Sequence, residues 1–150
     1  MTSTPDTPQR VYEARQKWFS EAHNSQRMRP AAFLLSSQGL LLQYDVQRAF
    51  CAGAWLSVIV LAQAVIEASI RDIETHDYET NAKNLFAGSE ALERVRTLRN
   101  EILHPQKPGT PSKVWTVAGG DYIACHASME TDAKLAVEEM FRAVYANRET

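Results

Sequence analysis

The clearest pattern along the chain is the return of apolar side chains every three to four residues, the period of one helix face. Ala91, Val95, Leu98 and Ile102 stand at i, i+4, i+7 and i+11, and Ala133, Val137, Met140, Phe141 and Val144 repeat the pattern near the C-terminus. Val11, Tyr12, Trp18, Phe19 and Ala22 form a third face. It follows Thr7-Pro8, read as N-cap and first helical residue, and fades at Asn24 to Arg29 before a boundary at Pro30. Between Arg48 and Glu67 lie eighteen residues without a charge, Ala49 to Ile66. They predict the longest helix, Asp45 to Thr75, apolar all round and central to the fold. That length reaches the lower limit of a membrane span. Its alanine content, Gly53 and the absence of aromatic and basic flanks at both ends favour burial in protein. The spacing thus predicts an all-α, up-and-down bundle of four to six helices. It is one domain, residues 1–150, with residues 1–7 a loose tail and no membrane association.

The segments between these faces are less regular. Ala31 to Leu42 is apolar but broken by Ser36-Ser37-Gln38-Gly39, which suggests a short helix or helix–turn. Asp77 to Phe86 reads as a connector with some helical content. Ser89 is an N-cap, with Glu90 and Glu93 in the first turn of the helix that follows. Gln106 to Pro111 is loop by composition. Val114–Val117 and Tyr122–Ala124 flank Gly119-Gly120, the pattern of a small β-hairpin near residues 114–124. A final helix from Thr131-Asp132 leaves Lys134, Glu138, Glu139 and Arg142 to water.

Composition is that of an ordinary globular chain: 45% hydrophobic and 23% charged residues. A net charge of −2 argues against general electrostatic capture of nucleic acid. A local basic zone remains, formed by Arg94, Arg96, Arg99, Lys107 and Lys113. Cys51 and Cys125 are far apart and read as reduced thiols; with no signal peptide, the expected location is cytoplasmic. Cys125-His126 are adjacent residues that chelate poorly, so neither a metal nor a cofactor is expected. No Ser-His-Asp arrangement, glycine-rich phosphate loop or dinucleotide fingerprint stands out.

The chemistry concentrates in Leu98-Arg99-Asn100-Glu101-Ile102-Leu103-His104-Pro105. Arg99 projects into the apolar arc, flanked by Val95 and Ile102 on one side and Leu92 and Leu103 on the other. A guanidinium cannot lose its charge, so it needs a partner there: a carboxylate, a carbonyl or a ligand phosphate. Glu67, the first charge after the apolar run, is one candidate; alternatively Glu67, Arg71 and Glu74 form an exposed ladder at i, i+4 and i+7. His104 lies about 140° around an ideal helix from Arg99. Pro105 biases it away from helical geometry.

An Arg-Asn-x-x-x-His run closing an apolar helix resembles the signature of the HEPN superfamily, over roughly residues 45–148. That resemblance implies a small helical domain, in many members a metal-independent endoribonuclease. Arg99, Asn100 and His104 would be the catalytic positions, with Glu67 supporting Arg99. It also implies RNA as substrate, a homodimer that assembles a composite site, and a role as toxin or anti-phage effector. An antitoxin or another protein would then be a further partner. Arg96, Lys107 and Trp115 are candidates for RNA contact, Trp115 by stacking on bases or else by capping the core. The competing expectation is a non-catalytic HEPN-like module that binds RNA, a nucleotide or a protein, with Arg99 locked to Glu67 inside one chain.

Overall fold

A computed structural model of the chain describes residues 7–27, 36–71, 83, 87–104, 107–112 and 114–146, with residue 146 by its backbone. Among these the long elements are α1 (Gln9–Arg27), α2 (Ser37–Ala52), α3 (Trp55–Arg71), α4 (Glu90–Leu103) and α6 (Glu130–Ala146). A 3-10 turn (Ala118–Gly120) and the short α5 (Tyr122–Ala127) precede α6. The fold is an all-α bundle, and no described helix is long and apolar enough to cross a membrane.

The uncharged run is divided between two helices, unlike the single helix expected from Asp45 to Thr75. Gly53 takes φ 75° and ψ 23°, which favours glycine over residues that carry a Cβ. Its N–H donates to the Phe50 carbonyl at 3.0 Å, and the Ala54 N–H reaches back to Ala49 at 2.9 Å, a Schellman ending. Arg15 lies close behind: its Nη1 donates to the Cys51 carbonyl at 3.2 Å, and a Cβ on Gly53 would stand 2.9 Å from that nitrogen. Residues 72–75 of the expected helix lie outside the described residues.

Other expectations also change. Ser36 does not interrupt a helix but starts one, its Oγ accepting from the Gly39 N–H at 3.2 Å. Residues 31–35 lie outside the described residues, as does all of the 77–86 connector except residue 83. Thr7 does not cap α1; the Pro8 carbonyl accepts from Val11 and Tyr12, while the Thr7 hydroxyl donates to Ala52 at the end of α2. No strand occurs among the described residues, so the hairpin near 114–124 is absent. Gly119 and Gly120 turn the chain with positive φ, but Asp121 then caps α5, its Oδ1 accepting from the Ala124 N–H at 3.0 Å. A capping side chain followed by Ala124 and Ala127 favours helix where the β-prone Tyr122-Ile123 suggested strand.

α3 is the shared wall: it packs on α2 and α6, while α1 closes against α2 and α6 and α4 lies against α3 and α6. Ile59, Ile66 and Ile70 of α3 are fully buried with Phe50, Leu92, Leu98, Met140 and Phe141. An aromatic seam ties α1 to both neighbours. Trp18 stacks on Phe50 at 4.9 Å between centroids, and Phe19 meets Phe141 edge-on at 5.2 Å. All five apolar positions read on the last helix are buried. Glu139, expected in water, is buried too, because Arg142 donates to its carboxylate from Nε at 2.8 Å and also hydrogen-bonds Ser89 across the bundle.

Candidate active site

α4 is set up locally. Ser89 Oγ accepts from the Leu92 N–H at 3.3 Å, and Glu90 and Glu93 oppose the helix dipole in the first turn. Leu92, Val95 and Leu98 are buried against α3 and α6, which fixes the rotation of the helix. That rotation directs Arg99 at α3.

There Arg99 Nη2 donates to Glu67 Oε1 at 2.8 Å, with the two side chains 25% and 21% exposed. The buried Gln63 donates to the same carboxylate oxygen at 3.5 Å. Glu67 therefore faces α4; Arg71, four residues on, is exposed, and Glu74 lies outside the described residues. Arg99 Nε is buried without a hydrogen-bond partner, so the guanidinium is anchored at its tip. A charged hydrogen bond between two largely covered groups is stronger than a surface pair, and it sets the direction of the cation.

His104 ends α4 with φ −92° and ψ 136°, outside helical geometry, as expected of a residue before proline. Its N–H still donates to the Asn100 carbonyl at 3.0 Å. The imidazole is exposed and has no hydrogen-bond partner among the described residues. Asn100 is half-buried, one turn earlier. The structure thus brings Arg99 to Glu67 and leaves His104 at the open end of the helix, with no contact joining Arg99 and His104 within the chain.

The candidate RNA contacts divide. Arg96 and Lys107 are exposed, whereas Trp115 is half-buried and packs, with Val114, on the core. The loop before it is tied to α4: Ser112 donates to Glu101 at 3.4 Å and accepts from the Val114 N–H at 3.2 Å. Arg94 is paired with Asp132 at 3.2 Å, so the basic zone is less positive than its sequence suggests; Lys113 lies outside the described residues. Cys51 and Cys125 are both free thiols, and burial pushes the Cys51 thiol up against the opposing influence of Arg15 and Tyr12. Gln63 was invisible as a site residue because a lone amide inside an apolar run carries no periodic signal. Leu103, Tyr122 and Ile123 are exposed, 54%, 74% and 84% accessible. No family model matches the chain, and no curated protein or solved structure matches it.

Proposed function

We propose that the chain is a metal-independent endoribonuclease of the HEPN type, with Arg99 and His104 as its catalytic pair and Asn100 beside them. The observation that carries this reading is the 2.8 Å pair between Glu67 and Arg99, next to an exposed His104 one helix end away. A carboxylate that holds one edge of a guanidinium fixes where the rest points, so the cation meets a phosphate without reorganising. An exposed imidazole is open to proton exchange with the solvent and with substrate.

The chemistry follows from RNA itself. The 2′-hydroxyl loses its proton to a base, attacks the adjacent phosphorus, and the P–O5′ bond breaks as an acid protonates the leaving 5′-oxygen. The products are a 2′,3′-cyclic phosphate and a 5′-hydroxyl. Arg99 stabilises the charge that builds on the phosphate, and His104 moves the proton. One histidine serves the base or the acid step, with water at the other, and a homodimer lets His104 of one chain act on a phosphate held by Arg99 of its partner. RNA is the substrate in this reading, and an antitoxin or other protein would act as regulator.

The test is cleavage of RNA by the purified chain in EDTA, with the ends of the products identified. Activity in EDTA that leaves a cyclic phosphate and disappears in both Arg99→Ala and His104→Ala is the expected result. A requirement for added magnesium overturns the mechanism. A second reading is favoured by the same ion pair: because Glu67 already matches the charge of Arg99 within one chain, the motif would be structural and the domain a binding module. RNA bound but never cleaved, together with lost stability in Arg99→Ala, is the outcome that selects it.

A further inference from the structure

A groove opens between the N-terminal half of α1, the end of α2 and the start of α6, and shares no residue with the Arg99 site. It encloses about 470 Å³, inside the roughly 300–1,000 Å³ of small-molecule sites. Val11, Ala14, Trp18 and Phe50 line it with apolar surface. α1 and α6 run in the same direction, since Trp18 meets Lys134, Phe19 meets Phe141 and His23 meets Tyr145. The positive ends of both helix dipoles therefore lie at this end of the bundle. α2 arrives with its C-terminal end, but N–H groups of Gly53, Ala54 and Arg15 already occupy carbonyls there.

The charges of the groove are unbalanced. Arg10, Arg15 and Lys134 line it against Glu130, a surplus of two positive charges in a chain whose net charge is −2. None of the four forms an ion pair among the described residues. Arg15 and Lys134 are half-buried, and each is held on an aromatic ring. Arg15 Cζ stands 4.8 Å from the centroid of Trp55 while its Nη1 donates to the Cys51 carbonyl, and Lys134 Nζ stands 5.4 Å from the centroid of Trp18. Trp18 in turn stacks on Phe50, and Phe50 meets Trp55 edge-on at 5.5 Å. The two cations thus close the two ends of one row of contacts, Lys134–Trp18–Phe50–Trp55–Arg15. A half-buried cation without a counter-charge carries a desolvation cost that an incoming anion offsets. Cations already fixed in place lose little freedom when that anion arrives.

We propose that this groove binds a small organic dicarboxylate, with one carboxylate at Arg15, the other at Lys134 and the hydrocarbon chain on the apolar lining between them. The surplus of two positive charges matches a dianion. Two cations separated by apolar surface match a molecule whose own charges are separated by carbons, whereas a compact phosphate reaches one cation and leaves that surface wet. Arg15 uses one N–H group on Cys51 and has others left for a carboxylate; Lys134 supplies a point charge. Arg10, exposed in the first turn of α1, adds attraction from the rim. Glu130 disfavours a third negative charge on the ligand. The site is independent of any cleavage at Arg99 and His104.

The experiment is titration of the full chain with glutarate, adipate and suberate, and with hexanoate and inorganic phosphate for comparison. Calorimetry and tryptophan fluorescence follow it, since Trp18 lines the groove. The tightest dicarboxylate should saturate one-to-one at about 1 mM or below, with hexanoate and phosphate each weaker by roughly tenfold or more. Its affinity should fall as salt is added. Lys134→Met keeps a flexible side chain over Trp18 and removes the charge, so it should bring the dicarboxylates close to hexanoate. Glu130→Gln should tighten the dicarboxylates by about two- to fivefold, a gain that unfolding cannot produce. Arg15→Gln should weaken them as well; because Arg15 also holds the end of α2, that variant is read only where its helical circular dichroism is intact, and the other two decide the result if it is not. No saturation with any dicarboxylate, phosphate or hexanoate bound as tightly as the best dicarboxylate, or affinity unchanged in both Lys134→Met and Glu130→Gln overturns the proposal.

Discussion

Arg99 carries a charge it cannot lose, and Glu67 sets both its direction and its cost. Glu67→Ala leaves that cation three-quarters covered and without its carboxylate, a loss of about 1–2 kcal/mol once partial exposure is allowed for. Thermal melting should fall by roughly 3–6 °C. Glu67→Ala/Arg99→Ala should recover much of that, because neither charge then remains; a double variant as unstable as the sum of the singles would contradict a direct pair. This contact was legible in the sequence, since an arginine in an apolar arc demands a partner and Glu67 is the first charge beyond the buried run. The His23–Tyr145 contact was not, because 122 residues separate its members and neither breaks a pattern. It has its own consequence. His23 titrates in the unfolded chain near its ordinary 6.5, and in the fold it is lowered, by burial first and Arg27 second. The unfolded state therefore binds more protons below neutrality. The stability tied to neutral His23 is fully present above pH 6.5 and is lost as pH falls through the lowered folded value. Urea midpoints from pH 7.5 to pH 5.5 should decline, and the decline should be shallower in His23→Phe/Tyr145→Phe. An unchanged slope in that variant would place the proton uptake elsewhere.

The elements whose ends carry strong chemistry were read correctly: Ser89 caps α4, and Ala133, Val137, Met140, Phe141 and Val144 bury as spaced. Failures occurred where a residue works both ways. Gly53 within an apolar run is equally consistent with a tolerated helical glycine and with a left-handed stop, and only the carbonyls it satisfies decide for the stop. Gly119-Gly120 suits a hairpin or a turn into a helix, and the Asp121 side chain selects the latter. Ser36 to Gly39 reads as a break by composition, yet a serine followed by three helix-compatible residues is also an N-cap. Gly53→Ala tests the first of these. It places a Cβ at φ 75° and within 2.9 Å of Arg15 Nη1, disturbing the Arg15–Cys51 bond as well as the backbone. Strain of about 1–2 kcal/mol plus the displaced contact should lower the melting temperature by roughly 4–8 °C. A melting temperature that stays within a degree or so of the natural chain would mean α2 and α3 tolerate a continuous helix.

Across the molecule, α3 separates two surfaces of different character. On one side α4 directs Arg99 inward to Glu67 and ends in an outward-facing His104; on the other, α1 closes against α2 and α6. An ideal helix sets Arg99 and His104 about 140° apart; here the first is held against α3 and the second stands at the exposed end of α4. Under the proposed mechanism, a phosphate held by Arg99 of one protomer is served by the histidine of the other. The exposed Leu103 beside His104, 54% accessible, gives that end of α4 an apolar surface for such a contact. Light scattering at tens of micromolar (an order of magnitude that detects weak association) should therefore report a dimer. The decisive measurement mixes Arg99→Ala with His104→Ala under conditions where subunits exchange. Each variant alone lacks one half of every pair, whereas the mixed dimer keeps one Arg99 on one chain and one His104 on the other. Partial recovery of cleavage is expected, up to about a quarter of the natural rate, because about half of the dimers are mixed and each restores one of its two cross-chain pairs. Exchange proven by a tagged protomer, with no activity regained, would require the working pair to come from a single chain. The placement of Arg99 against α3 would then have to change before cleavage, and Glu67 would be the residue that holds the inactive arrangement.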